Sequence, residues 1–384
     1  MASDPEQTKP RRGRPSRLMI FDRLDRAVDE LAHVGGLPHP AEAEPIWEGI
    51  WFEETHHSTA IEGNTLILKE VKVLLEEGRA VGARELREYL EVQGYSEAAS
   101  WIYRQAHRAG DWGGDALVSL TELREIHRRT VESAWRHFPP AQHDDREGPG
   151  AFRCHDIEPF AGGMRPPPWP DVPPLVDDWL GAANGLGPYV DGWRASGMAL
   201  ADPAEHPIAH IAAVHAALER IHPFRDGNGR AGRLALNLML VRLGYPPAIV
   251  YKKDRSKYLR ALDRADRGDP RPLAELLARA VTYGVERFLL PALAGRHRMI
   301  PLSALADREL SAIALRRAAD RGRLRALRRS DQWYSTRHWV DEYRDSRRRG
   351  RLRPIKERSE GHGLAADQLQ LPLSSNAAGD HRSD

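Results

Sequence analysis

Cysteine is nearly absent: the 384 residues contain one, Cys154. No intrachain disulfide can form, which excludes a disulfide-stapled extracellular scaffold and fits a reducing compartment. The chain also lacks any run of about 18 apolar residues, so no membrane-spanning helix is expected. Its first residues, MASDPEQTKPRRGRPSR, hold no apolar stretch of the kind a secretory signal needs. Together these absences predict a cytoplasmic protein. A large excess of one charge is missing too: the formal net charge is +2, so bulk charge points to no nucleic-acid or membrane partner. Finally, no GxxxxGK[ST] string occurs, which excludes a Walker-type phosphate loop.

What is present is helical periodicity. Apolar residues recur at 3–4 spacing in LDRAVDELAHV and in VKVLLEEG, with Gly78 as the stop of the second. Thr121 to Trp135 reads as an amphipathic helix with Thr121 as N-cap. Residues 139–174 are rich in Pro and Gly and predict loop with a short hairpin. Helices resume at Pro173 to Leu180 and continue through HPIAHIAAVHAALERIHPF, where Pro207 suits a first helical position. GRLALNLMLVRLG is apolar nearly all round, as a helix buried at a domain centre would be. The expected division is a basic tail without fixed structure (1–17), an N-terminal helical region (18–110), a core (111–295), a small C-terminal unit (300–350) and a polar tail (351–384).

One segment carries chemistry: His222-Pro-Phe-Arg-Asp-Gly-Asn-Gly-Arg-Ala-Gly-Arg233. A histidine ends one helix, DGNG turns, and the next helix begins with unpaired backbone N–H groups. Such an N-terminus favours phosphate through its donors and its dipole. Gly227 and Gly229 allow close approach of the backbone. Arg230 and Arg233, three apart, reach from one face toward a polyphosphate. Asp226 can hold Mg²⁺ through the phosphates, and His222 suits a general base near neutral pH. Taken alone, DGNG favours a plain helix–turn–helix connection; the twelve-residue string is far more specific.

That string resembles the signature of the Fic family, HxFx[DE]GNGRxxR, at every defined position, and the likeness extends through most of residues 45–290. It implies a mainly α fold, with a small β-hairpin flap that Gly150 to Pro173 resembles, followed by a helix containing Trp179. The implied activity is nucleotidyl transfer: AMP passes from Mg-ATP to a hydroxyl of a target protein. By the same resemblance His222 is the base, Phe224 anchors the loop from beneath, and Asp226 binds Mg²⁺. Gly227, Asn228 and Gly229 hold the α-phosphate region, Arg230 meets the α/β-phosphates and Arg233 the γ-phosphate. Arg225 counts with these nucleotide-binding residues. Asn237 and Tyr258, the latter in GYPPAIVYKKDRSKYLRAL, touch adenosine or simply pack between helices.

Upstream, Ser58-Thr-Ala-Ile-Glu62-Gly63 resembles the family's inhibitory motif [S/T]xxxE[G/N]. Ser58 and Glu62 are four apart and share one helical face. A Glu62 docked on Arg233 would take the place of the γ-phosphate and inhibit in cis. The same glutamate could instead orient a water for AMP removal, and a pattern this short also fits an ordinary helix end. His56, His57 and His215 show no spacing for a metal site; His215, two turns before His222, suits support beneath the pocket.

Basic residues gather at both ends. The C-terminal unit predicts helix, helix, short hairpin, helix (PLSALADREL, SAIALRRAADRGRL, RALRRSDQWYS, TRHWVDEYRDSRR), and resembles a winged-helix or helix-turn-helix module. Arg316, Arg317, Arg321, Arg325, Arg328 and Arg329 could neutralise DNA phosphates, or the module could serve dimerisation or docking. Arg12-Gly-Arg-Pro15 resembles the core of an AT-hook. The expected partners are therefore ATP, a target protein with a Ser, Thr or Tyr hydroxyl, and, as alternatives, DNA or a second copy. Two competing functions remain: a DNA-binding regulator whose Fic domain senses ATP, and a Fic enzyme that removes AMP or moves another phosphate-containing group.

Overall fold

Helical periodicity becomes fourteen α-helices among the described residues of the computed structural model, which are 16–38, 40, 43–106, 116–141, 143–158, 164–196, 202–296, 298–329 and 332–348. The N-terminal region forms α1 (Arg17–His33), α2 (Glu44–Ile61), α3 (Leu68–Glu77) and α4 (Leu86–Ala106). Then come α5 (Leu120–Trp135), α6 (Val172–Asn184), α7 (Leu186–Ser196), α8 (Pro207–Ile221), α9 (Asn228–Arg242), α10 (Arg255–Asp266) and α11 (Arg271–Gly284). A π-helical turn, Val285–Leu289, leads into α12 (Leu290–Leu293). Pro291 explains it: with no N–H to offer the preceding turn, the ladder slips and Leu290 donates to Val285. The basic tail with Arg12 to Pro15 and the polar tail from 351 lie outside the described residues.

The nearly all-apolar helix is the hub. In α9 every residue from Arg230 to Arg242 is buried, and α2, α4, α5 and α8 pack around it. Its five polar members, Asn228, Arg230, Arg233, Asn237 and Arg242, are each paired. Arg242, for example, donates to the Leu117 carbonyl at 2.6 Å and to Glu122 at 2.5 Å. A single large core runs from Phe21 through Trp47, Tyr95, Leu234 and Leu273 to Val340. Inside it lies Glu54 of α2, which accepts from the Tyr95 hydroxyl at 2.9 Å, from the Tyr103 hydroxyl, and from Asn237 Nδ2 at 2.8 Å. Burial raises the Glu54 pKa even against these three donors. Asn237 in turn accepts from the Ala248 amide at 2.8 Å. This polar knot joins α2, α9 and the segment after α9.

Local chemistry corrects three sequence expectations. The N-cap of α5 is Ser119, not Thr121: Ser119 accepts from the Glu122 amide, and Glu122 reaches back to the Ser119 amide as a capping box. No strand forms among the described residues of 150–173, where a hairpin was expected. Pro166, Pro167 and Pro168 remove three consecutive donors, and side chains take over the pairing: Asp156 accepts from the Trp169 amide at 2.8 Å and Arg153 donates to the Pro167 carbonyl at 2.6 Å.

The C-terminal unit is strand, helix, hairpin, helix, and its first expected helix is absent. β1 (Ile300–Pro301), α13 (Ala312–Asp320), β2 (Leu327–Arg329), β3 (Gln332–Ser335) and α14 (Arg337–Arg348) build it, with an antiparallel sheet in the order β1-β3-β2. Between β1 and α13 the Asp307 carboxylate accepts from the Glu309 and Leu310 amides at 2.9 and 2.7 Å, a local alternative to helix. Among the described residues no helix is long and apolar enough to cross a membrane.

Candidate active site

The site is built where α8 stops and α9 starts. His222 caps α8 with φ 50°, ψ 58°, and among the described residues it is the only non-glycine at positive φ. Such a conformation costs free energy and persists only where surroundings hold it. Here the holder is Arg153, itself 2% exposed. Its Nε donates to the His222 carbonyl at 2.9 Å and its Nη2 to Ile221 and Pro167, while its own amide donates to Pro223. The His222 ring is buried, and its Nδ1–H donates to the Glu219 carbonyl at 3.1 Å. That bond fixes the tautomer in which Nε2 is the basic nitrogen. Burial lowers the His222 pKa below its ordinary 6.5, so the ring is neutral at pH 7.

The turn after His222 is clamped by its own residues. The Asn228 amide both donates to the Phe224 carbonyl and accepts from the Phe224 N–H, each at 2.8 Å. Phe224 is 1% exposed and stacks on His127 at 3.7 Å between ring centroids. His127 Nε2 donates to the Asp226 carbonyl at 2.8 Å, and Nδ1 accepts from the Gly150 amide at 2.9 Å. Gly227, at φ 77°, crosses so close to α5 that a Cβ there would lie 2.5 Å from Val131 Cγ1. Arg225 turns away and donates to the Ala141 carbonyl at 2.9 Å. Replacing His127 by alanine would delete the stack and leave two backbone groups unpaired. We expect a loss of about 2–4 kcal/mol in urea unfolding; a loss near zero would mean the turn holds without it.

Arg233 is 4% exposed and has three contacts on α2. Nε donates to Ser58 Oγ at 2.7 Å, and Nη2 donates to the Ser58 carbonyl at 3.0 Å and to Glu62 Oε1 at 2.7 Å. Burial alone would raise the Glu62 pKa; the Arg233 charge and hydrogen bond, with Arg230 adding, outweigh it and hold it below 4.5. The carboxylate lies directly over the start of α9, where a Cβ on Gly229 would stand 2.5 Å from Glu62 Oε1. Beneath, Glu219 is buried beside Gly232 and pushed up to about 8 by burial, so it is protonated at neutral pH. Asp226 accepts from the Gly227 amide through Oδ1, and its Oδ2 lies 3.6 Å from Arg230 and 3.7 Å from Arg87.

Tyr258 and Asn237 are each 1% exposed. Tyr258 lies 2.7 Å from His215 Nε2 and beneath Arg233, and Asn237 sits in the Glu54 knot. His57 meets Glu53 at 3.2 Å and packs on Tyr251, and burial lowers His56 to about 4. Sequence reading passed over His127, Arg153 and Glu219. His127 and Arg153 meet the motif only in space, and Glu219, one turn before His222, carries no pattern that sets it apart.

Residues 117–240 match the family model described as Fic/DOC family. That segment of the chain is similar to the Fic family. Over 269 residues it is 32% identical to a Culex quinquefasciatus protein named protein adenylyltransferase Fic, covering 70% of this chain and 47% of that one. A protein of the same name from Nematostella vectensis is 30% identical over 274 residues, covering 70% and 56%. Among solved structures, a segment of Fic-1 from C. elegans superimposes with a TM-score of 0.54 at 27% identity, covering 71% of this chain and 70% of that one. The chain spans about half the length of the curated relatives it matches. The matched residues thus contain the clamped turn, the α9 N-terminus, His222 and Arg233, while Glu62 reaches them from outside the matched segment.

Proposed function

We propose that this chain transfers AMP from Mg-ATP to a hydroxyl side chain of a target protein, and that Glu62 holds the activity in check. The name borne by its relatives, protein adenylyltransferase, supports the reaction class. The observation that carries the reading is the pairing of a tautomer-fixed neutral His222 with a helix N-terminus flanked by Arg230 and Arg233.

A target oxygen attacks the α-phosphorus while His222 Nε2 takes its proton. The bond from that phosphorus to the bridging oxygen breaks, and pyrophosphate leaves. The free N–H groups at the start of α9, with Arg230, stabilise charge on the phosphates, and most of the rate comes from positioning and preorganised electrostatics. Asp226 fits a Mg²⁺ role: its carboxylate is 38% exposed beside the two arginines, and one carboxylate plus phosphate oxygens suits this ion. Bound there, Mg²⁺ would neutralise phosphate charge.

Supplying ATP labelled at the α-phosphate should place label on protein, and ATP labelled at the γ-phosphate should not. Label transfer from the γ position, or none from either with wild type and Glu62→Gly, would overturn the proposal.

A further inference from the structure

At the root of the loop between α5 and α6, three different metal-ligating side chains converge. The ligand atoms of Glu147, Cys154 and His155 all lie within 4.8 Å of one another. Glu147 is fully buried, whereas Cys154 and His155 are half-buried and open to entry from solvent. Glu147 Oε1 accepts from the Cys154 amide at 2.6 Å and lies 2.7 Å from His155 Nδ1. Two short stretches, around Glu147 and at Cys154–His155, therefore bring a thiol, an imidazole and a carboxylate to one point.

We propose that this cluster is a Zn²⁺ site. Sulfur, nitrogen and oxygen together suit a borderline-soft divalent ion that accepts four ligands in tetrahedral array, while a thiol argues against Mg²⁺ and Ca²⁺. The separations are those of ligands already gathered, so closing on a metal needs shifts well under the size of a side chain. Binding takes the thiol proton to solvent and uses His155 in its neutral form.

The location gives the site a consequence. Residues 147 and 154 close a loop whose last member before Cys154 is Arg153, the residue that holds the His222 carbonyl. Metal at 147/154/155 stiffens the backbone on both sides of that arginine and anchors the segment that leaves toward Pro167. The inference does not depend on AMP transfer.

The test uses the full chain, freed of metal by a chelator, and Zn²⁺ or Co²⁺ alone. Zn²⁺ should bind with one equivalent in competition with a chromophoric chelator. Co²⁺ should produce a thiolate-to-metal band in the near ultraviolet together with the visible bands of a four-coordinate site. Cys154→Ser and His155→Ala should each weaken Zn²⁺ by more than about 100-fold, beyond the range of merely supporting residues. His33→Ala, on the exposed end of α1, should change nothing. The wild-type Co²⁺ spectrum needs no variant, so a folding defect in either mutant leaves a decisive readout. A Co²⁺ spectrum without the thiolate band, or Zn²⁺ binding indifferent to Cys154→Ser, would mean that Glu147 only caps the loop through hydrogen bonds.

Discussion

Replacing Glu62 by glycine is expected to raise the initial rate of AMP transfer by about 10- to 40-fold. Glu62 sits on the guanidinium that a γ-phosphate would use, so ATP must displace a charge-assisted contact before it can seat. Such a contact is worth about 1.5–3 kcal/mol, and solvent access to Glu62, 39% exposed, keeps it in the lower part of that range. Each 1.36 kcal/mol is tenfold in rate. Removal should not disorganise Arg233, because Ser58 still holds it through Oγ and the carbonyl. Glycine is also tolerated at this helix end, where Glu62 is the C-cap of α2.

Arg233→Ala removes both the latch and its target, so adding it to Glu62→Gly should cancel the gain, a strong non-additivity expected of groups in contact. Equal initial rates for wild type and Glu62→Gly would end the inhibitory assignment. Acid is no substitute for the mutation. The folded-state pKa of Glu62 lies below 4.5, so the latch is complete above the ordinary carboxylate range and weakens only as pH falls through that lowered value.

The second large effect is at His222. His222→Ala should cut transfer by about 10²- to 10⁴-fold, the range for loss of a general base, with ATP affinity nearly unchanged. Measuring both in the Glu62→Gly background separates the two effects. The pH profile carries independent information. Burial disfavours the imidazolium, so the acid limb of kcat/KM should turn below 6.5, and activity should be level through pH 7. A limb centred above 6.5 would point to a different proton acceptor.

The chemistry of the α8–α9 junction was legible because its parts are contiguous: one string of twelve residues carries base, turn, anion site and arginines. The helices were legible because α1, α3 and α5 follow simple apolar periods and α9 is apolar nearly all round. What could not be read are the residues that act from a distance. His127 lies 99 residues from Asp226, and Arg153 lies 69 from His222, so no local pattern marks them. Among the described residues, the strands of the expected hairpin and the first helix of the C-terminal unit are missing for a related reason. Pro166–Pro168, Asp156 and Asp307 satisfy or remove backbone groups one at a time, and that local competition overrides the broader period.

The Glu54 knot sets the stroke of any release. Lifting α2 away as a rod would strand a carboxyl group, two phenols and an amide in an apolar interior, at about 1–3 kcal/mol for each buried group left unsatisfied. The last turn is seated too: Ser58, Thr59, Ala60 and Ile61 are all buried, and Arg255 donates to the Ile61 carbonyl at 2.6 Å. Beyond it only the half-exposed Glu62 side chain is held by a single contact to Arg233. Release is therefore a swing of one side chain about a fixed helix end, and the site can relock without refolding anything.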